Sequence, residues 1–306
     1  MTRGAITPRF DWSSLGTLRL RARAIADGVY AGMHASTRKG AGVEFGGHRP
    51  YVAGDDLRLL DLRAMLRHDR LIIRELQTET DRALRLIIDG SASMGFRGRS
   101  APLDKLAYAG ALAAALARVA VSSGDPVALD FLGGDGARSL PALAGREAFE
   151  RIVSLLETVK ATGDLRDDTA ALDRAFASAL RFARRGSILV FFSDLIDVHE
   201  QALAKFAALG TNGRTLITVR VLDPDEATLP YEGAVRLVSL EGKHEVATDA
   251  SAVRAAYLQA LADGEARWQA RLRGRGGDVI RVLTTDDPIE AVRRIVRTVA
   301  LAGAGR

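Results

Sequence analysis

Apolar residues along this chain fall into short continuous runs separated by longer stretches with helical spacing, and the two patterns alternate. Leu84-Arg85-Leu86-Ile87-Ile88-Asp89, Asp125 through Leu132, Ser187 through Ser193, Thr215 to Val221 and Val279 to Leu283 each read as a buried strand. Runs this short, bounded by turn residues, suit the central strands of a parallel sheet. Between them the spacing predicts an Ala-rich helix opening near Pro102 and helices at about 146 to 160 and 169 to 184. A further helix is expected from Asp249 to Leu272, on Val253, Tyr257, Leu261, Trp268 and Leu272, and Pro288 opens a terminal one. Gly133-Gly134-Asp135-Gly136 predicts a hairpin toward Ala137 to Leu140. Strands alternating with helices make an α/β fold with a doubly wound, mainly parallel sheet and right-handed crossovers.

Upstream of that pattern lies an N-terminal helical and loop extension, so the expected division is 1–83 and 84–306. Residues 12 to 34 form a predicted first helix with Leu15, Leu18, Leu20, Ile25, Val29 and Tyr30 on its apolar face; Lys39-Gly40-Ala41-Gly42 ends it. Gly46 to Asp61 reads as a loop rich in Gly, Arg and Asp, and Leu71 to Arg74 as a short strand.

The net charge of +5 changes this picture only at the N-terminus. Arg3, Arg9, Arg19, Arg21, Arg23, Arg38, Lys39 and Arg49 outnumber Asp11, Asp27 and Glu44 by the whole excess. No aromatic stacking platform accompanies the charge, so a solvated Arg-rich helix is expected and a nucleic-acid partner is not. There is no cysteine, which excludes disulfides, thiol nucleophiles and thiolate metal sites. The five histidines show no ligand spacing, which argues against zinc. No apolar signal segment opens the chain, and Leu106 to Val121, interrupted by Arg118, falls short of a membrane span; the expected location is cytoplasmic.

The chemistry concentrates where the first core strand ends. Asp89, Ser91 and Ser93 offer only hard oxygen donors at i, i+2 and i+4, a set suited to Mg²⁺ or Mn²⁺. One loop cannot surround an octahedral cation, so further ligands must arrive from other strand ends; Asp194 ends another apolar strand and Thr169 stands at a loop-to-helix junction after Asp167-Asp168. A strand-ending Asp also caps turns, and Thr169 also suits the N-cap of the helix that follows it. An alternative is a serine hydrolase using Ser93, Asp194 and His244, which follow the chain order of α/β-hydrolases; against it, Ser91 replaces the first elbow glycine and Gly95, Gly98 and Pro102 precede the next helix. An aspartyl phosphatase would want a second Asp where Ser91 stands, and no P-loop is present.

The pattern D-x-S-x-S with a later Thr and a later strand-ending Asp resembles the metal-ion-dependent adhesion site of von Willebrand factor A domains. A second block, Gly42-Val43-Glu44-Phe45, Arg49 to Arg58, Leu60-Asp61 and Leu71 to Glu79, resembles the domain of unknown function fifty-eight, whose von Willebrand factor A-like members are typically encoded beside MoxR-type AAA+ ATPases. Leu62 stands where that family usually has tryptophan, and Asp167-Asp168 where glycines are common. The resemblance implies a sheet of von Willebrand factor A type and a metal held by Asp89, Ser91, Ser93, Thr169 and Asp194. It also implies a non-enzymatic adaptor whose partners are a MoxR-type AAA+ ATPase and a protein client offering an acidic side chain to the metal. Arg49, Asp55, Asp56, Arg58 and Asp61 read as a structural salt-bridge knot rather than a catalytic group.

Overall fold

The computed structural model describes residues 10–37, 48–50, 72–74, 83–164, 183–196, 200–211, 213–242 and 244–304. The backbone divides into one unit of Met1–Tyr30 with Arg82–Arg306 and another of Ala31–Asp81. Helix α1 (Leu18–Thr37) starts later than its spacing predicts, because the Asp11 carboxylate accepts from the backbone of Ser13 and Ser14 at 2.9 and 3.3 Å and holds a turn there. Its buried stripe is Ala22, Ile25, Ala26 and Val29, while Leu20, expected on that face, is 46% exposed. Arg19 and Arg23 pair with Glu150 at 2.5 and 3.6 Å, and Arg21 donates to the carbonyls of Leu15 and Trp12, so the basic helix is tied to the fold.

In the smaller unit, β1 (His48–Pro50) pairs antiparallel with β2 (Ile72–Arg74), Arg49 opposite Ile73. A short strand therefore interrupts the loop expected from Gly46 to Asp61. Asp55, Asp56, Arg58 and Asp61 lie outside the described residues.

The larger unit continues with β3 (Leu84–Asp89), α2 (Lys105–Ser122), β4 (Val127–Leu132), β5 (Leu140–Leu143), α3 (Arg146–Thr158) and β6 (Ile188–Ser193). It then runs through α4 (Glu200–Ala208), β7 (Thr215–Leu222), α5 (Pro224–Thr228), β8 (Ala234–Val238), β9 (Glu245–Asp249), α6 (Ala250–Arg273), β10 (Gly277–Leu283) and α7 (Pro288–Ala304). The six-stranded sheet has the order β10-β7-β6-β3-β4-β5, parallel throughout except for the antiparallel edge strand β5. This is the doubly wound, mainly parallel sheet expected. Helix α2 begins three residues after Pro102's place because the Asp104 side chain caps it, accepting from Ala107 N at 2.7 Å. The hairpin strand β5 starts only at Leu140, the end of the expected Ala137 to Leu140 stretch, since Asp135 first bridges Lys160. The helix expected at 169 to 184 falls almost wholly outside the described residues.

Strand alternation sorts the core onto two faces. Leu86, Ile88, Val190, Phe192, Val219 and Val282 pack in one cluster with α2 and α7, while Ile87, Leu189, Phe191 and Leu216 face Phe206, Trp268 and Leu272 in another. Each such buried side chain contributes about 1.5–3 kcal/mol. Helix α2 is long and apolar enough to cross a membrane, contrary to the expectation drawn from Arg118, yet 67% of it is buried inside the fold. Ala109, Ala111, Ala113, Ala114 and Ala115 are fully buried, and their small side chains let α2 lie close against its neighbours.

From β3 the chain crosses to β4 on one side, and β6 later takes the other side. The strand order thus reverses between β3 and β6, and a sheet of this kind opens a ligand crevice beyond the carboxyl ends of such a pair. Gly90 makes the exit from β3 feasible: a Cβ there would meet Gly133 O at 2.9 Å and Gly134 Cα at 3.0 Å, both backbone atoms. Gly90→Ala is expected to lower stability by about 1–3 kcal/mol in urea unfolding, whereas Gly16→Ala, with nothing within 4 Å of the added carbon, stays within about 0.5 kcal/mol.

Candidate metal centre

Asp89 ends β3 and is buried, and both of its oxygens are engaged. Oδ1 accepts from Ser91 N at 2.9 Å, and Oδ2 accepts from Ser193 Oγ at 2.7 Å. The first bond folds the chain back at the strand end; the second crosses the switch point from β6. Ser91 stands at the N-cap of a 3-10 turn (Ala92–Gly95) and Ser93 lies within it, and their hydroxyls lie 3.1 Å apart. Two donors on adjacent corners of an octahedron with Mg²⁺–O bonds of about 2.0–2.1 Å are separated by about 3 Å, so the pair fits that ion.

Asp194 follows β6 and is fully buried. Its Oδ1 accepts from Ile196 N at 2.9 Å and its Oδ2 from Lys105 Nζ at 2.7 Å. The next residue, Leu195, has φ of +57°, a left-handed conformation that costs a branched side chain about 1–2 kcal/mol and persists because Leu195 is buried among Ile87, Leu132 and Phe191. That turn brings Leu195 N to Ser193 Oγ at 3.0 Å, which leaves the Ser193 proton directed at Asp89. Arg220 donates to the Asp194 carbonyl at 3.1 Å and pairs with Glu265 at 2.7 Å.

Lys105, completely buried, also reaches Glu226 Oε1 at 2.6 Å. Glu226 is held by the capping box of α5, its second oxygen accepting from Asp223 N at 3.0 Å. Burial pushes the Lys105 ammonium downward, but the charges of Asp194 and Glu226 outweigh it and hold its pKa above the ordinary lysine value. Burial, and then the neighbouring charge of Asp194, raise Asp89 to about 7 against the hydrogen bonds from Ser193 and Ser91. Burial likewise raises Glu226. Among the described residues no cation pairs with Asp89.

A fourth carboxylate enters from the loop between β8 and β9. Glu241 Oε1 accepts from Ser93 N at 3.3 Å, and burial raises its pKa while the Ser93 and Ser91 hydrogen bonds oppose the shift.

The structure thus brings Asp89, Ser91, Ser93 and Asp194 together at one strand-end crevice. Thr169 lies outside the described residues. Among the described residues no three His, Asp or Glu side chains form a metal-holding group. The donor set therefore rests on two aspartates and serine hydroxyls, a hard-oxygen chemistry into which Mg²⁺ or Mn²⁺ fits. The hydrolase alternative does not assemble. The Ser93 hydroxyl pairs with that of Ser91, the Asp194 carboxylate is occupied by Lys105, and exposed His244 bonds neither of them. Lys105, Ser193, Glu226 and Glu241 were not anticipated from sequence. Only Lys105, a lone charge opening an apolar Ala-rich helix, and Ser193, a hydroxyl ending an apolar strand, carry a local signal.

A family model described as Protein of unknown function DUF58 matches residues 47–267. Uncharacterized protein Rv1480 of Mycobacterium tuberculosis (strain ATCC 25618 / H37Rv) and Uncharacterized protein Mb1516 of Mycobacterium bovis are each 29% identical to this chain, covering 99% of it and 95% of their own length. An aerotolerance-related membrane protein from Bacteroides fragilis is similar over 72% of this chain and 99% of its own, with 20% identity and a TM-score of 0.46. A von Willebrand factor type A structure from Catenulispora acidiphila is similar over 72% of this chain and 42% of its own, with 16% identity and a TM-score of 0.39.

The raised pKa of Asp89 fixes a sign for stability against pH. Between the ordinary value of 3.8 and about 7, the folded chain keeps a proton on Asp89 that the unfolded chain has lost. This contribution is therefore fully present below 3.8 and lost as pH rises toward about 7. In chelator, the stability of Asp89→Asn relative to the unsubstituted protein is expected to grow across that window when urea unfolding is followed at successive pH values. A constant difference would show that Asp89 titrates as an ordinary carboxylate.

Proposed function

The chain belongs to the DUF58 family, and from that premise we propose that it is a non-enzymatic, Mg²⁺- or Mn²⁺-dependent adaptor that binds an acidic side chain of a partner protein. The observation that supports the reading best is the spacing of the Ser91 and Ser93 hydroxyls, 3.1 Å, beside Asp89 and Asp194 at the switch point of the sheet. Asp89, Ser91 and Ser93 would hold the ion directly, with Asp194 nearby and Thr169 as a further candidate. The ion, when bound, supplies a Lewis-acidic position for an incoming carboxylate.

The chain's own residues supply the rest. Ser193 orients Asp89 across the gap between β6 and β3, so the carboxylate does not rotate away from the serines. Lys105 neutralises Asp194 and fixes its direction. Without a cation, Asp89 and Glu241 face an incoming carboxylate with like charge, and association is opposed. With one, the same groups are compensated.

A MoxR-type AAA+ ATPase as partner, a role in protein maturation or complex remodelling, and a cytoplasmic location are carried over from the family resemblance and the cysteine-free composition. The Arg-rich α1 offers a purely electrostatic route to an acidic partner, but Arg19, Arg21 and Arg23 already have partners on the fold. The two routes separate by conditions. Binding of the purified cognate ATPase, measured by calorimetry in Mg²⁺, is expected to weaken at least about tenfold in chelator. Asp89→Ala is expected to reproduce the loss. Binding that fades with salt and ignores chelator would instead assign the contact to α1.

A further inference from the structure

The loop between β8 and β9 places a carboxylate of this chain where the proposed function puts a carboxylate of a partner. Ser239 shapes the tip: its backbone N–H donates to His244 O at 2.9 Å, and its hydroxyl accepts from Glu241 N and Gly242 N at 3.2 and 3.3 Å. Glu241 is thereby projected toward the serine turn, where Oε1 accepts from Ser93 N at 3.3 Å across 148 positions of sequence. Its other oxygen, Oε2, is buried and has no hydrogen-bond partner. A buried carboxylate oxygen without a donor is costly, and a cation beside it removes the cost.

The surroundings show what holds the tip there. Ser239, Leu240 and Gly242 are exposed, with Leu240 at 53%, and the strands leave Val238 and Val246 at 56% and 58%. Apolar packing therefore does not fasten the tip to the crevice; the Glu241 side chain does. Behind the hairpin lies a cavity of about 470 Å³ lined by Phe96, Leu229, Tyr231, Val235 and Tyr257, which leaves the hairpin free of close packing along that side.

We propose that Glu241 is a tethered ligand of the metal centre, occupying in cis the position that an acidic partner takes in trans, so that partner binding displaces the β8–β9 tip. The inference rests on the metal-site reading above and adds a residue and a competition to it. It also narrows the partner: the incoming group must be a carboxylate able to replace a glutamate on a short, exposed loop. The tip then sets a threshold, because the partner gains only the difference between its own contact and the one it displaces.

The full chain loaded with Mn²⁺ tests this through water-proton relaxation, which counts inner-sphere waters on the ion. Glu241→Ala is expected to raise relaxivity per bound Mn²⁺ by at least the equivalent of one water and to weaken Mn²⁺ binding about three- to tenfold. Acetate at millimolar concentration, standing in for a partner's carboxylate, is expected to lower relaxivity in Glu241→Ala more than in the unsubstituted protein. Glu241→Gln, which preserves size, is expected to behave in the same direction. Equal relaxivity and equal acetate response in all three proteins, with binding still abolished by Asp89→Ala, would overturn the tethered ligand and leave the metal centre standing. Mn²⁺ binding that is absent, or unchanged in Asp89→Ala, would overturn both.

Discussion

The ammonium of Lys105 is completely buried, 2.7 Å from Asp194 and 2.6 Å from Glu226, with the ring of Phe96 at 5.9 Å. Three elements that are far apart in sequence meet on this one charge: the start of α2, the turn after β6 and the short helix α5. Desolvating a lysine is expensive, and only two well-placed carboxylates make its charged form the stable one here. The pairing also decides what remains at the strand ends. Asp194 is satisfied internally, so Asp89 is left as the carboxylate that hydrogen bonds orient and no cation in the described residues balances. A centre whose uncompensated carboxylates are Asp89 and, from the β8–β9 loop, Glu241, beside neutral hydroxyls, suits a divalent ion that keeps several waters better than one needing a full anionic cage.

The sheet supplies the geometry for this electrostatics. Because the strand order reverses between β3 and β6, Asp89 and the Ser193-Asp194 pair emerge side by side, and the left-handed turn at Leu195 directs Ser193 to Asp89. The strain at Leu195 is offset by burial in the second core cluster, so the apolar core stabilises a backbone conformation that the site requires.

Much of the architecture was legible in the sequence because β3, β4, β6 and β7 are buried along almost their whole length and read as largely apolar runs, while the more exposed edge strand β10 still keeps Val279, Ile280, Val282 and Leu283. The same runs end in Asp89 and Asp194, which is why two of the carboxylates could be named from their place alone. Helix starts were less legible, since Pro102 signals a first turn equally well whether the helix begins there or at the Asp104 cap. The hairpin β8–β9 was missed for a physical reason: its strands are exposed, with no buried alternation to mark them. Glu241 could not be found at all by local spacing, because its role depends on contact with the Ser91–Ser93 turn, where Ser93 lies 148 positions away in sequence. Lys105, the lone charge opening an Ala-rich helix, left a local signal, but the spacing could not show that Asp194 and Glu226 would close on it.

The most direct test of the account is a crystal of the full chain grown with Mn²⁺ and measured at a wavelength where manganese scatters anomalously. An anomalous peak is expected bounded by Asp89 and the hydroxyls of Ser91 and Ser93, with the Lys105 bridge to Asp194 and Glu226 retained. A peak elsewhere in the molecule, or bound manganese in solution with no peak at these three residues, would contradict it.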